Sequence, residues 1–168
     1  QHNQIRKKIL YRHYMKITII NIANKMPSWI TAGCDEYLKR INHGKYSCKF
    51  IEIKSSKNPN KPVEVILEDE AAKISTHIPA DSYIIVLDEN GIELTSSNLA
   101  KRLQQITLDY AQIVFIIGGA DGIHTQLKQS AFEFKFVATN FSSCVSAGAY
   151  CGAVISGDNY FGEPPLSS

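Results

Sequence analysis

The spacing of apolar residues alternates along the chain between two patterns. Continuous β-branched runs, such as residues 17–22 and 113–117, predict strands that are buried on both faces. Between these runs, apolar residues recur every three or four positions, as at Ile30, Cys34 and Leu38, which is typical of a helix with one buried face. The pattern predicts strands at residues 17–22, 50–53, 83–87 and 113–117, and helices that begin at Ser28, Val63 and Ser96 or Ser97.

This alternation of strand and helix predicts the fold class. Strands that are separated by helices form right-handed βαβ units, which build a mostly parallel sheet with helices on both faces. A polar loop at residues 55–62 and a turn signal at residues 88–91 separate the elements. A length of 168 residues suits one domain. We therefore expect a single α/β domain.

The charge of the chain is unevenly distributed. The net charge is +2, but residues 1–14 contain four basic residues and no acidic one. Without them, 14 basic residues face 16 acidic residues from Met15 onward, a net charge of −2. A strong nucleic-acid binder usually carries a basic face. An RNA substrate would therefore have to be held by local basic patches or by the shape of an assembled particle.

Composition also limits the setting in which the protein works. No apolar run is long enough to span a membrane, and the first fourteen residues do not resemble a signal peptide. The four cysteines follow no metal-ligand spacing, so no metal site is expected. We expect reduced thiols and a cytoplasmic protein without a membrane partner.

Two predicted strand ends carry candidate chemistry, because parallel sheets bind ligands at the carboxyl ends of their strands. One end is at Leu87 and Asp88. The other is the Gly118-Gly119-Ala120-Asp121-Gly122 segment, where the missing Cβ atoms allow a sharp turn and a close approach to a ligand. A lone GGxxG more often marks an ordinary strand-to-helix turn than a ligand site, so this motif alone is a weak signal. Neither G-x-G-x-x-G nor a Walker loop is present.

Several short motifs follow one another along the chain. They are Met15-Lys16-Ile17-Thr18-Ile19, Lys25-Met26-Pro27, residues 36–40, Phe50-Ile51-Glu52-Ile53, the acidic stretch 68–72, Val86-Leu87-Asp88, and residues 115–122. Together they cover roughly residues 15–136. In the order and spacing of these motifs, this part of the chain resembles the RlmH family of SPOUT-class ribosomal RNA methyltransferases, although the stretch 68–72 lacks the family's glycine.

The resemblance implies a trefoil-knotted α/β fold, a homodimer, and S-adenosylmethionine bound by the knot loops. The family methylates N3 of a pseudouridine in large-subunit ribosomal RNA, so the implied partner is ribosomal RNA or the assembled ribosome, and not DNA. Leu87 and Gly118 occupy the positions of the family that contact the cofactor, and Gly119 and Gly122 shape the same loop. No catalytic residue can be assigned: Asp88 and Asp121 are interpreted as turn residues, and none of the five histidines is given a role.

The resemblance ends in the carboxyl-terminal part of the chain. Residues 136–168 contain no Lys or Arg, and the family's proline-histidine pair, Glu-Gln-Leu-Tyr-Arg-Ala stretch and Tyr-His-Arg tail are missing. Codons that encode residues 150–168, read one base later, allow Thr-Val-Glu-Gln-Leu-Tyr-Arg-Ala and a Tyr-His-Arg end. The hypothesis is that residues 137–168 are a frameshifted family terminus with an incomplete knot, that residues 15–136 form the methyltransferase-like domain, and that residues 1–14 are an extension foreign to the family. The alternative is a divergent Ser/Gly-rich tail.

Three functions are compatible with these observations. The first is a methyltransferase that uses S-adenosylmethionine. The second is an inactive remnant of that family, and the third is a generic nucleotide-binding α/β module that uses residues 118–122. Cofactor binding separates the third from the first, and turnover on ribosomes separates the first from the second.

Overall fold

A computed structural model of the chain describes residues 15–23, 28–42, 46–93, 96–119, 121–129 and 131–135. Strands and helices alternate through these residues, as the apolar pattern predicts. The strands are β1 (Met15–Ala23), β2 (Tyr46–Lys54), β3 (Tyr83–Glu93), β4 (Gln112–Ile117) and β5 (Phe132–Lys135), and the helices are α1 (Ser28–Ile41), α2 (Val63–Ser75), α3 (Ser96–Asp109) and α4 (Thr125–Gln129).

The five strands form one sheet in the order β2-β1-β4-β3-β5, and each pair of neighbours is parallel. The chain runs outward from β1 to β2, then crosses to β3 and returns to place β4 beside β1. After β4 it runs to β5 at the opposite edge from β2. The connections that follow β1 and β4 therefore diverge, and the gap between these two strands is the point where the strand order switches.

Two apolar cores cover the two faces of the sheet. The first packs Cys34 of α1 and Leu103 and Ile106 of α3 against alternate residues of the strands, with Phe115 among them. The second packs Ile74 of α2 and Leu127 of α4 against the residues in between. Helices on both faces explain why the central strand β4 is buried at five consecutive positions. The predicted α/β fold, a parallel sheet with helices on both faces, is confirmed.

The structure corrects the prediction that strand β3 stops at the turn signal of residues 88–91. The strand continues to Glu93, and both Leu87 and Ile92 lie opposite Phe134 of β5. The breaker residues therefore form an irregularity in the pairing, after which the ladder resumes. The apolar pattern predicts that helix α2 continues from Val63 to Ile78, but the helix ends at Ser75. At this end the hydroxyl groups of Ser75 and Thr76 donate to the carbonyls of Ala71 and Lys73, respectively.

The sequence pattern does not predict strand β5 or the short helix α4, and some of the other predictions concern residues that the structure does not describe. Residues 1–14, the tail from residue 136 onward and the crossing that would define the knot lie outside the described residues. Within the described part of the chain, no helix is long and apolar enough to cross a bilayer.

The two described cysteines are free thiols in the first core. Burial raises the pKa of the Cys48 thiol to about 12, because a thiolate is poorly solvated there. The Cys48 backbone is also held by Asn42, whose side chain accepts from the Cys48 N–H at 2.7 Å and donates to its carbonyl at 3.1 Å. This pair of bonds fixes the end of α1 against the start of β2.

We expect Phe115→Ala to lower the free energy of unfolding by about 3–5 kcal/mol, because it empties the largest fully buried side-chain site in the described core. Leu108→Ala is the control: Leu108 is 62% exposed, and its removal should change stability by less than about 0.5 kcal/mol. Urea denaturation followed by circular dichroism measures both variants. Similar losses in the two variants would contradict the assignment of Phe115 to the core.

Candidate site at the carboxyl edge of the sheet

The two predicted strand ends are neighbours in the structure. Leu87 of β3 lies opposite Ile117, the last residue of β4, and Gly118 follows Ile117 directly. The side chain of Leu87 is half-buried and packs against the first core. The structure therefore brings Leu87 and residues 118–122 to the same edge, beside the switch point between β1 and β4.

Gly119 and Gly122 contact each other across a tight turn. The Gly122 N–H donates to the Gly119 carbonyl at 3.1 Å, and the two residues form an isolated bridge. Gly122 has a φ of +89°, a conformation that side chains strongly disfavour. Asp121 is exposed in this turn, in agreement with its interpretation as a turn residue.

The structure gives Gly118 a different physical role from the expected one. The absence of a Cβ atom was expected to clear space for a ligand. Instead, a Cβ atom on Gly118 would lie 2.5 Å from Ile123 Cγ1 and 2.8 Å from the Gly122 carbonyl oxygen. Gly118 is therefore required for the turn to fold back on β4, and any effect on a ligand follows from the shape of the turn.

His124 fixes the exit of this turn. Its Nδ1 accepts from the backbone N–H of Gln126 at 3.3 Å, which caps the first turn of α4. Its Nε2 lies 3.5 Å from a carboxylate oxygen of Glu64 on α2. These contacts explain His124 as a residue that joins the turn to α2.

Glu70 is the functional candidate that the sequence reasoning missed. It lies on α2 between Ile66 and Ile74, and these three residues form the buried stripe of the helix. Glu70 is only 4% exposed. One carboxylate oxygen, Oε1, accepts from the Ser55 hydroxyl at 2.8 Å and from the Ser56 N–H at 2.9 Å. The signal in the sequence is an acidic residue four positions from each of two isoleucines on the same helix, Ile66 and Ile74.

The other oxygen of Glu70 faces the glycine turn. Oε2 lies 3.9 Å from the place where a Cβ atom of Gly119 would be, and that place is 3.1 Å from Ile22 Cγ2 of β1. The carboxylate therefore sits where the ends of β1 and β4 meet, next to residues 118–122.

The loop that Glu70 anchors is basic. Lys54, Lys57 and Lys61 are exposed on or next to the loop between β2 and α2, and Lys73 donates to the Ser56 hydroxyl at 2.6 Å. Only Lys61 among them has a described acidic partner, Asp69, at 3.2 Å. This loop is a local basic patch of the kind that a chain with an acidic body needs if it binds RNA.

Comparison with known proteins places the chain in a family. The family model described as "Predicted SPOUT methyltransferase" matches residues 15–142. The chain therefore belongs to the SPOUT methyltransferase family, and the predicted resemblance is confirmed.

Among individual relatives, the chain is similar to the protein named ribosomal RNA large subunit methyltransferase H in several bacteria. It is 38% identical to the Nitrosomonas eutropha protein over 74% of this chain and 80% of that protein. It is 37% identical to the Dechloromonas aromatica protein over 70% and 74%, and 39% identical to the protein of Legionella pneumophila strain Paris over 67% and 72%.

We expect Gly118→Ala to lower the free energy of unfolding by about 1–3 kcal/mol, because the new methyl group overlaps Ile123 and the Gly122 carbonyl. Gly33→Ala is the matched control: a Cβ atom there meets nothing within 4 Å, and alanine in a helix should stabilise by up to about 1 kcal/mol. Denaturant titration gives both values. A Gly118→Ala variant as stable as the original chain would rule out the packed turn.

Proposed function

We propose that this protein is an S-adenosylmethionine-dependent methyltransferase that acts on N3 of a pseudouridine in large-subunit ribosomal RNA. The observation that carries the proposal is the packed glycine turn beside the Leu87 strand end, at the switch point of a parallel sheet. Membership of the SPOUT methyltransferase family and similarity to relatives named ribosomal RNA large subunit methyltransferase H support it.

The residues at the edge fit such a cofactor. The half-exposed Leu87 offers an apolar surface for an adenine ring, and Gly118, Gly119 and Gly122 give the turn its compact shape. The buried carboxylate of Glu70, with one oxygen directed to the turn, suits a ligand that carries positive charge. When bound, the cofactor supplies an electrophilic methyl group on its sulfonium.

The proposed catalysis depends mainly on position. Methyl transfer requires the methyl donor and the deprotonated N3 to be in line and in contact, and holding them so removes much of the entropic barrier. A group that accepts or stabilises the N3 proton would add to this. Among the described residues we assign none to that step. The family resemblance implies that Arg, Tyr and His residues of the family's carboxyl terminus perform this step.

The proposed partner is ribosomal RNA or the assembled ribosome. The lysine-bearing loop between β2 and α2 lies at the same edge as the glycine turn and could contact phosphates near the target nucleotide. We further propose that the protein acts as a homodimer in the cytoplasm, as the family resemblance implies, without DNA or a membrane as a partner.

Calorimetry with S-adenosylmethionine tests the cofactor assignment, and we expect the full chain to bind it. Adenosine 5′-triphosphate and NAD serve as comparison ligands. Binding of these nucleotides without binding of S-adenosylmethionine would favour the generic nucleotide-binding module.

A second experiment tests the tail. We propose that residues 137–168 are a frameshifted family terminus, so the chain as given should transfer no methyl group, while a version with the reading frame restored by one base should. The three glycines Gly148, Gly152 and Gly157 each disfavour a helix by about 1 kcal/mol relative to alanine, and the tail lacks the cations of the family terminus.

Methyl transfer is measured with both versions on ribosomes from a methylation-deficient strain, and mass spectrometry locates the methyl group. Equal activity of the two versions would refute the frameshift and make the visible tail a working variant. Cofactor binding without turnover in either version would identify an inactive remnant.

A further inference from the structure

Glu70 occupies a position where the fold alone favours an apolar residue. Ile66, Glu70 and Ile74 follow one another at intervals of four residues, so all three lie on the face of α2 that packs on the sheet. Removing a carboxylate from water is unfavourable unless it gains a cation or several hydrogen bonds. A carboxyl group at 4% exposure in the middle of a core stripe therefore requires an explanation.

The hydrogen bonds of Glu70 involve only one of its two carboxylate oxygens. Both hydrogen bonds that it accepts in the described structure, from the Ser55 hydroxyl and the Ser56 N–H, go to Oε1. Among the described residues, no lysine, arginine or histidine forms an ion pair with Glu70. No described buried side-chain oxygen is both sealed from solvent and unbonded, so Oε2 keeps an opening.

That opening lies at the candidate site. Oε2 is 3.9 Å from the Cβ position of Gly119, and this position is itself in contact with Ile22 near the end of β1. The unpaired oxygen is therefore next to the glycine turn, at the switch point between β1 and β4.

We propose that Glu70 is a cofactor-binding residue whose Oε2 contacts a cationic group of S-adenosylmethionine. The inference rests on the proposed function. The cofactor offers two such groups, the sulfonium and the α-ammonium, and either one would provide the positive charge that this buried carboxylate lacks among the described residues.

Glu70→Gln separates this role from a purely structural one. The amide oxygen of glutamine can accept both bonds from Ser55 and Ser56, so the loop keeps its anchor. The negative charge is lost, and the group in the place of Oε2 becomes a hydrogen-bond donor. Glu68→Gln on the same helix is the matched control, because Glu68 is exposed.

The experiment measures binding of three ligands to the full chain by calorimetry: S-adenosylmethionine, S-adenosylhomocysteine and 5′-methylthioadenosine. The second lacks the sulfonium charge, and the third lacks both cationic groups. We expect Glu70→Gln to weaken S-adenosylmethionine binding about tenfold or more, as expected for the loss of a contact to a charged group, and to leave methylthioadenosine binding unchanged. Glu68→Gln should bind all three ligands like the original chain.

Binding of S-adenosylhomocysteine shows which cationic group of the cofactor Oε2 contacts. An equal loss of S-adenosylhomocysteine binding assigns Oε2 to the α-ammonium, and a loss confined to S-adenosylmethionine assigns it to the sulfonium. Unchanged S-adenosylmethionine binding in Glu70→Gln, or an equal loss for methylthioadenosine, would overturn the inference. If the original chain binds none of the three ligands, the cofactor assignment itself fails.

Thermal unfolding without ligand adds a second readout. A binding role predicts that Glu70→Gln is at least as stable as the original chain, because the substitution removes a desolvated charge and keeps the bonds of the loop. Its stabilisation by S-adenosylmethionine should be smaller than that of the original chain. A variant that fails to fold, or that melts well below the original chain, would show that the charge serves the fold and would exclude the proposed role.

Discussion

The parallel pairing of β1 with β4 organises both the sheet and its edge. It aligns Lys16 with Gln112 and Asn21 with Ile117, so the two central strands end at nearly the same level. Because β1 leads toward β2 and β4 leads toward β5, the chain leaves this level in opposite directions. A crevice between the two strand ends follows from the topology itself. Its location does not depend on any single side chain.

The residues that border this crevice obey different constraints from those of the core. In β4, five consecutive buried side chains secure the centre of the sheet. One residue further on, Gly118 has no room for a side chain, and Gly122 needs a positive φ. The transition from side-chain packing to backbone packing occurs at one peptide bond, between Ile117 and Gly118. This abrupt change lets a rigid sheet present backbone groups at its edge.

The central strands could be predicted from the sequence because they are buried on both faces. Continuous runs such as residues 113–117 leave little ambiguity between strand and loop. Strand β5 has only four residues and lies at the edge of the sheet, so it gives no comparable run. Residues 88–91 have no partners in β5, because the ladder is interrupted between Leu87 and Ile92 and resumes afterwards. The turn-prone residues therefore leave the pairing without ending the strand.

The candidate site was predictable only in part, and for a related reason. Leu87 and Gly118 follow apolar runs, so the strands themselves indicate where these residues lie. Glu70 is not evident from the sequence, because the apolar residues of α2 (Ile66, Ala71 and Ile74) predict only a modest buried face and an acidic residue is not expected on it. Glu70 can be recognised as a candidate only when the packing of α2 is known, because acidic residues are common in helices and rare only at buried positions.

Acidic and basic side chains lie near each other at this edge of the sheet, and together they suit a site for one cationic and one anionic ligand. Glu70 is buried beside the glycine turn, whereas Lys54, Lys57 and Lys61 are exposed on or next to the loop that Glu70 anchors. Ser55 and Ser56 join the two layers, since both donate to Glu70 and both belong to the lysine-bearing loop. A buried anion attracts a small cationic ligand over short range, while exposed cations attract a polyanion over about a Debye length, roughly 8–10 Å. The proposed cofactor and the proposed RNA would therefore be attracted to different depths of one site, although the body of the chain carries a net negative charge.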